Sequence, residues 1–169
     1  MKFTIRKMHY DDSKQVQHIA KTSWHATYEG IIPLDVQNKF LQKNYNDESM
    51  KLRIDRSIVY VAEVDGIVVG FTNYSNVRDG GVVELAAIYL DPDFQGKGIG
   101  SALIQQAVTE LDGIKEIYLN VEKENTIGMN FYQAKGFEIV KESEEEFEGH
   151  ILKPVRMVKR LFSEKQCTI

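Results

Sequence analysis

The sequence has few of the residues that cross-link or interrupt a chain. Only one of its 169 residues is cysteine, Cys167. No intrachain disulfide can form, and no cysteine pair exists for a structural zinc, so the core rests on packing and suits a reducing compartment. The three prolines, Pro33, Pro92 and Pro154, are scattered, and no proline-, glycine- or serine-rich linker and no internal repeat divides the chain. A single domain over residues 1–162 with a polar tail at 163–169 is therefore expected. No apolar run approaches the ~20 residues that span a bilayer. Met1–Met8 alternates apolar and charged side chains and lacks the apolar stretch of a secretion signal. The expected location is cytoplasmic, with no membrane partner. Positive charge is not in excess either: 21 Lys and Arg stand against 25 Asp and Glu, a net charge of −4. A mildly acidic protein has no general attraction for polyanions, so nucleic acid is not an expected partner. The four histidines, His9, His18, His25 and His150, form no i, i+4 pair and no HExxH, and no metal site is expected.

What is present is the composition of an ordinary folded protein, 43% hydrophobic and 27% charged. Phe3 and Ile5 alternate with polar residues in a half-buried strand at Met1–Arg6. Asp11-Asp12-Ser13 supplies helix-capping chemistry, and Val16, Ile19, Ala20, Trp24 and Tyr28 recur every three or four residues, as on one face of a helix. Pro33 opens a second helix through Leu34, Val36, Phe40 and Leu41, and Asp47–Arg56 reads as another turn or two. Ser57–Val64 and Ile67–Val77, joined by Asp65-Gly66, predict a hairpin. Val82–Leu90 completes a meander. Gly98–Leu111 is helical, with Ile99, Leu103, Ala107 and Leu111 in one stripe. Ile114–Val121 is a strand, Asn125–Ala134 a short helix, and Phe137–Lys141 and Leu152–Leu161 the last strands, with acidic residues between. The order β-α-α-β-β-β-α-β-α-β-β predicts an α/β (α+β) fold: a mixed, mostly antiparallel sheet of six to seven strands with helices on both faces.

The segment Gln95-Gly96-Lys97-Gly98-Ile99-Gly100-Ser101 lies where a strand gives way to a helix. Its glycines allow positive φ and close backbone approach. The free N–H groups opening the helix favour an anion, above all phosphate, and Lys97 adds charge. A Walker A loop is excluded: Gly98 follows Gly96-Lys97, and Asp91 stands where its first glycine belongs. A dinucleotide loop is excluded because Ser101 or Leu103 occupies its third glycine position. A glycine-rich turn without a ligand is the plainer alternative.

Val82–Ser101, V-V-E-L-A-A-I-Y-L-D-P-D-F-Q-G-K-G-I-G-S, resembles the acetyl-CoA-binding motif of the GCN5-related N-acetyltransferase (GNAT) family, with its Q/R-x-x-G-x-G/A loop. Asn125–Phe137 resembles that family's N-x-x-A-x-x-F-Y-x-x-x-G-F, with Gly128 where alanine is usual. Ser23–Pro33 is similar to the S-W-x-x-x-Y-x-G-x-x-P of some bacterial members. The resemblance implies the GNAT acyl-CoA N-acyltransferase fold, acetyl-CoA as co-substrate, and direct transfer of its acetyl group to a primary amine in a ternary complex. The acceptor is a small molecule or a peptide amine: polyamine, aminoglycoside, amino acid, or protein lysine or N-terminus. The alternatives are a non-catalytic acyl-CoA-binding sensor and a transferase using another acyl donor. A homodimer is a further expectation, since homodimers are frequent in relatives.

By the same resemblance, the backbone of Gln95, Gly96, Lys97, Gly98, Ile99, Gly100 and Ser101 binds the pyrophosphate. Main-chain groups of Ile88 and Leu90 pair with the pantetheine arm as an added strand. Asn125 bonds the arm, or caps its helix, or both. Tyr132 protonates the leaving thiolate, or packs the core. Glu84 is the candidate base: were Val82, Glu84, Ala86 and Ile88 on one face, it would be an isolated carboxylate among apolar neighbours, with a raised pKa. Its alternative is a carboxylate facing solvent or paired with a lysine, and Asn120 stands where some relatives carry an acid. Trp24 and Tyr28 line the acceptor pocket or belong to the core, and His25 faces solvent. Glu142–Glu148 is a solvated hairpin or a lure for a cationic acceptor.

Overall fold

The computed structural model describes residues 1–161. The expected tail at 163–169, Cys167 and the end of the expected domain at 162 lie outside the described residues. In chain order the elements are β1 (Thr4–Lys7), α1 (Ser13–Tyr28), α2 (Leu34–Asn44), α3 (Asp47–Arg56), β2 (Ile58–Val64), β3 (Ile67–Tyr74), β4 (Val82–Leu90), α4 (Ile99–Glu110), β5 (Glu116–Glu122), α5 (Thr126–Ala134), β6 (Glu138–Glu142), β7 (Glu145–Phe147), β8 (His150–Leu152) and β9 (Pro154–Arg160). Seven strands form one sheet in the order β1-β2-β3-β4-β5-β9-β6, and β7-β8 form a separate hairpin. Among the described residues only β4 and β5 run parallel; every other paired neighbour is antiparallel. No helix among the described residues is long and apolar enough to cross a membrane.

The apolar patterns explain the layers. Val16, Ile19, Ala20 and Trp24 of α1 join Val36 and Leu41 of α2 and Met50 of α3 over Val59, Val61 and Phe71. Ile99, Leu103, Ile104 and Ala107 of α4 cover the other face, over Tyr74, Val83, Leu85, Ile117 and Leu119. The Asp65-Gly66 turn forms as its sequence predicts, both residues having positive φ. The segment 47–56 makes a full ten-residue helix rather than a turn or two, started by Asn46, whose side chain accepts from Ser49 N–H. The acidic stretch forms the hairpin its sequence suggests, but one side of it packs on the protein. Glu148-Gly149 turns a short hairpin whose Phe147 packs edge-on to Phe40 of α2, and Glu148 pairs with Lys39 at 3.3 Å.

An ion pair ties β1 to the start of α1. Arg6 donates from both terminal nitrogens to Asp12, at 2.8 and 2.9 Å, and from Nε to Glu63 at 2.7 Å. Asp12 also accepts from His9 N–H. These bonds, the Arg6 one foremost, lower the Asp12 carboxyl pKa. A carboxyl lowered on folding stabilises above its unfolded pKa of about 4, and that stability is lost as pH falls through the folded value. Asp12→Ala is expected to cost about 2–3 kcal/mol in urea unfolding at pH 7, somewhat below a fully buried pair because Arg6 is a third exposed. Asp12→Asn should flatten the loss of stability of the native protein below about pH 4. An Asp12→Ala protein of native stability would show the pair to be inert.

Candidate active site

Strands β4 and β5 start together and then part. Their parallel register covers Val82↔Glu116, Val83↔Ile117 and Glu84↔Tyr118 and goes no further, although both strands continue. The result is a fork, closed at Glu84 and open toward the carboxyl ends. Asp91 N–H donates to Val69 O at 2.8 Å. Strand alternation therefore turns the main-chain groups of Ala87 and Tyr89 toward β3, and those of Ile88 and Leu90 into the fork, where they can hydrogen-bond an extended ligand.

A bulge controls which side chains face which layer. Asn73 lies opposite Ala87 and Tyr74 opposite Leu85, leaving Ala86 unmatched. One inserted residue reverses the alternation. Val83 and Leu85 pack beneath α4, whereas Ala87 and Tyr89 pack in the opposite layer. Glu84 and Ile88 consequently do not share a face, which corrects the sequence-based expectation. Glu84 is not isolated either: it accepts from both terminal nitrogens of Arg156 on β9, at 2.6 and 2.8 Å. That pairing raises the pKa of the Arg156 guanidinium. Arg156 also lies over the Tyr118 ring and donates to Asn120 at 3.4 Å.

At the open end, Gly96 and Gly98 hold the left-handed conformation, φ +74° and +83°, and Gly98 starts α4 without any side-chain cap. A Cβ on either would meet no protein atom, so the glycines serve backbone conformation rather than packing. The first N–H groups of α4, at Ile99, Gly100 and Ser101, are thus left for an anion. Gln95, Gly96, Lys97 and Gly98 are exposed, whereas Ile99 is fully buried, its side chain part of the core on the α4 side of the sheet. Gly100 is small for another reason: a Cβ there would press on Phe131 of α5 at 3.2 Å.

Asn125 caps α5, accepting from Gly128 N–H at 2.9 Å. A Cβ on Gly128 would sit 2.5 Å from the Asn125 amide, so a larger residue here would have to shift the capping side chain. Tyr132 lies on α5 with Phe131 and Phe137 edge-on to it at 5.4 and 5.7 Å. Burial pushes the Tyr132 phenol pKa well above its ordinary value, and Tyr89 adds to the rise. From the opposite layer Tyr28 is raised likewise, by burial first and then by Tyr89, Tyr132 and Glu122, with nearby Asn125 opposing the rise. Tyr28, Tyr89, Asn125 and Tyr132 therefore converge. Trp24 is buried, stacked on Phe40 at 4.1 Å, and its indole N–H donates to the Tyr89 hydroxyl at 2.8 Å. His25 turns away and meets Asn38 of α2 at 3.0 Å.

Sequence reasoning missed Tyr89, Arg156 and Glu122. Burial raises the Glu122 carboxyl pKa, against the Lys153 N–H that bonds it. Arg156 had a legible signal, a lone arginine inside the apolar Pro154–Val158 run. Tyr89 had none, because its face depends on the bulge.

The sequence model described as "Acetyltransferase (GNAT) family" matches residues 16–137. The chain is 29% identical to the spermidine N(1)-acetyltransferase of Thermoplasma acidophilum, over 82% of this chain and 90% of that protein. It is 32% identical to the uncharacterized N-acetyltransferase YuaI of Bacillus subtilis, over 90% of each. The crystal structure of the PaiA N-acetyltransferase from Thermoplasma acidophilum in complex with coenzyme A superposes with a TM-score of 0.82 at 26% identity, covering 95% of this chain and all of that one. The forked sheet, the glycine loop and these relatives agree: the chain belongs to the GNAT acetyltransferase family and is an N-acetyltransferase that uses acetyl-CoA to acetylate an amine.

Proposed function

We propose that residues 1–162 act as one catalytic unit that transfers acetyl directly within a ternary complex, with the fork and its glycine loop as the acetyl-CoA site. The observation that carries this reading is the free edge of β4, with Ile88 and Leu90 facing the fork and the loop at its open end. Acetyl-CoA supplies the activated thioester. Backbone amides from Gln95 to Ser101 hold its pyrophosphate, with Lys97 nearby. Ile88 and Leu90 pair with the two amides of its arm as a strand would, and Asn125 bonds the arm from the α5 side. Main-chain N–H groups of β4 polarise the thioester carbonyl. The amine nitrogen forms its bond to the carbonyl carbon as the carbon–sulfur bond breaks. Tyr132 gives its phenolic proton to the departing sulfur and regains one from the nitrogen, which sheds it as the amide forms. Glu84, beside the closed end, draws in the cationic amine and takes its proton through water. Tyr28 walls the acceptor pocket; Trp24, buried behind it, props that wall and Tyr89. The exposed edge strand β6, with Ile139 and Val140 about half exposed, supports pairing of two copies into a homodimer. The unit works in the cytoplasm.

Calorimetric titration tests the cofactor site. Acetyl-CoA is expected to bind one-to-one and free phosphate not to compete at equal concentration. No acetyl-CoA binding would remove the fork and loop as its site.

A further inference from the structure

A cleft of about 610 Å³ opens beside the closed end of the fork, between α3 and the paired ends of β3 and β4. That volume is in the range of small-ligand sites. Its lining includes Glu84 and the bulge residue Ala86 together with Arg53, Arg56 and Arg78. The sequence holds six arginines. Arg6, Arg156 and Arg160 pair with carboxylates; among the described residues the other three pair with none, and all three line this cleft. Arg53 is fixed in place: it donates to Asn73 Oδ1 and Asn44 O, both at 2.7 Å, and its guanidinium lies 4.0 Å over the Tyr45 ring. Its Nε is buried with no hydrogen-bond partner. What Arg53 offers the cleft is a fixed positive charge that no carboxylate among the described residues offsets. Arg56 and Arg78 are exposed at the rim. In a protein of net charge −4 this concentration of unpaired positive charge is local.

Position gives the cleft its meaning. An acyl arm anchored on the loop at Gln95–Ser101 runs back along the free edge of β4 and ends at the closed end, beside Ala86. The cleft starts there.

We infer that this cleft holds an acidic group of the acceptor, so that the amine acetylated by this protein also carries a carboxylate or phosphonate, as an amino acid does. The inference rests on the acetyl-transfer reading above. Guanidinium groups bind such oxyanions by paired N–H donors, and their geometry suits planar carboxylates and phosphonates. The acid lies on Arg53 with Arg56 and Arg78 closing over it, and the amine is turned toward Glu84 and the thioester. A polyamine, all positive, meets like charge on this wall.

The test measures CoA release from acetyl-CoA by the full chain with pairs of primary amines that differ in an acidic group: L-lysine against cadaverine, L-tyrosine against tyramine, aminomethylphosphonate against methylamine. In at least one pair the acid-bearing member is expected to show at least a tenfold higher kcat/KM. Arg56→Gln and Arg78→Gln, at the rim and so harmless to folding, are each expected to raise its KM about tenfold, with acetyl-CoA affinity and Tm unchanged. Equal or better turnover of the acid-free amines, or rim variants that leave KM unaltered, would overturn the assignment. So would a protein that binds acetyl-CoA calorimetrically yet acetylates no acid-bearing amine, and the cofactor reading would then stand. A protein that binds no acetyl-CoA overturns the proposed function itself, and the cleft assignment with it.

Discussion

Tyr132→Phe is expected to lower kcat about 10²–10³-fold, the usual worth of a positioned proton donor, while acetyl-CoA affinity changes less than threefold. The substitution removes one oxygen and keeps the ring that packs against Phe131 and Phe137. Tm should therefore hold within a few degrees, and the loss falls on the chemical step. The pH profile offers a second readout. Tyr132 acts in its protonated form, and burial raises its pKa above the usual ~10. A raised pKa keeps the proton on at higher pH, so the wild-type rate should show no basic decline from this group below about pH 10. Unchanged kcat in the phenylalanine variant would reduce Tyr132 to a packing residue. A basic limb near pH 8 that the variant abolishes would show a phenol far more acidic than its surroundings dictate.

Gly98→Val is expected to weaken acetyl-CoA binding at least about 100-fold, close to 3 kcal/mol. Gly98 holds φ +83° and ψ +1° at the start of α4. A side chain there meets no protein atom, so the fold loses only the left-handed conformational energy, about 1–2 kcal/mol. The loop can escape that strain by rotating its peptide, which swings the amides at the helix N-terminus out of line. Binding should thus suffer far more than Tm. Lys97→Ala, which removes an exposed charge from the same loop, should weaken binding less than tenfold and only at low salt. If valine binds acetyl-CoA as glycine does, the backbone amides of Gln95–Ser101 are not what holds the cofactor.

The difference between what the sequence displays and what it hides follows from the range of each signal. Periodicities are local, so the stripe at Ile99, Leu103 and Ala107 and the turn at Asp65-Gly66 predict their elements directly. The glycine loop is legible for the same reason: its chemistry is contained within a few adjacent residues. The faces of β4 are not legible, because the bulge at Ala86 exists only through pairing with Asn73 and Tyr74. A period of two carried unbroken along Val82–Leu90 puts Glu84 and Ile88 together, and the bulge separates them. Arg156 lies 72 residues from Glu84, a distance over which no pattern in the chain links them. The acidic stretch reads as a solvated hairpin, and the hairpin forms; what no local pattern shows is Phe147 packing against Phe40, a contact with a helix far earlier in the chain.

The brevity of the β4–β5 register has a mechanical consequence. Strands β1 to β4 form one plate of the sheet and β5, β9 and β6 another, and main-chain bonding joins them along a seam of three residue pairs. The Glu84–Arg156 pair crosses that seam as a side-chain rivet, and α4 lies beneath it. A ligand strand laid into the open part of the fork touches both plates at once. Cofactor occupancy should therefore slow amide hydrogen exchange on both sides of the seam, including in residues that never touch the ligand, because a state that binds only when the plates are held together is stabilised by mass action.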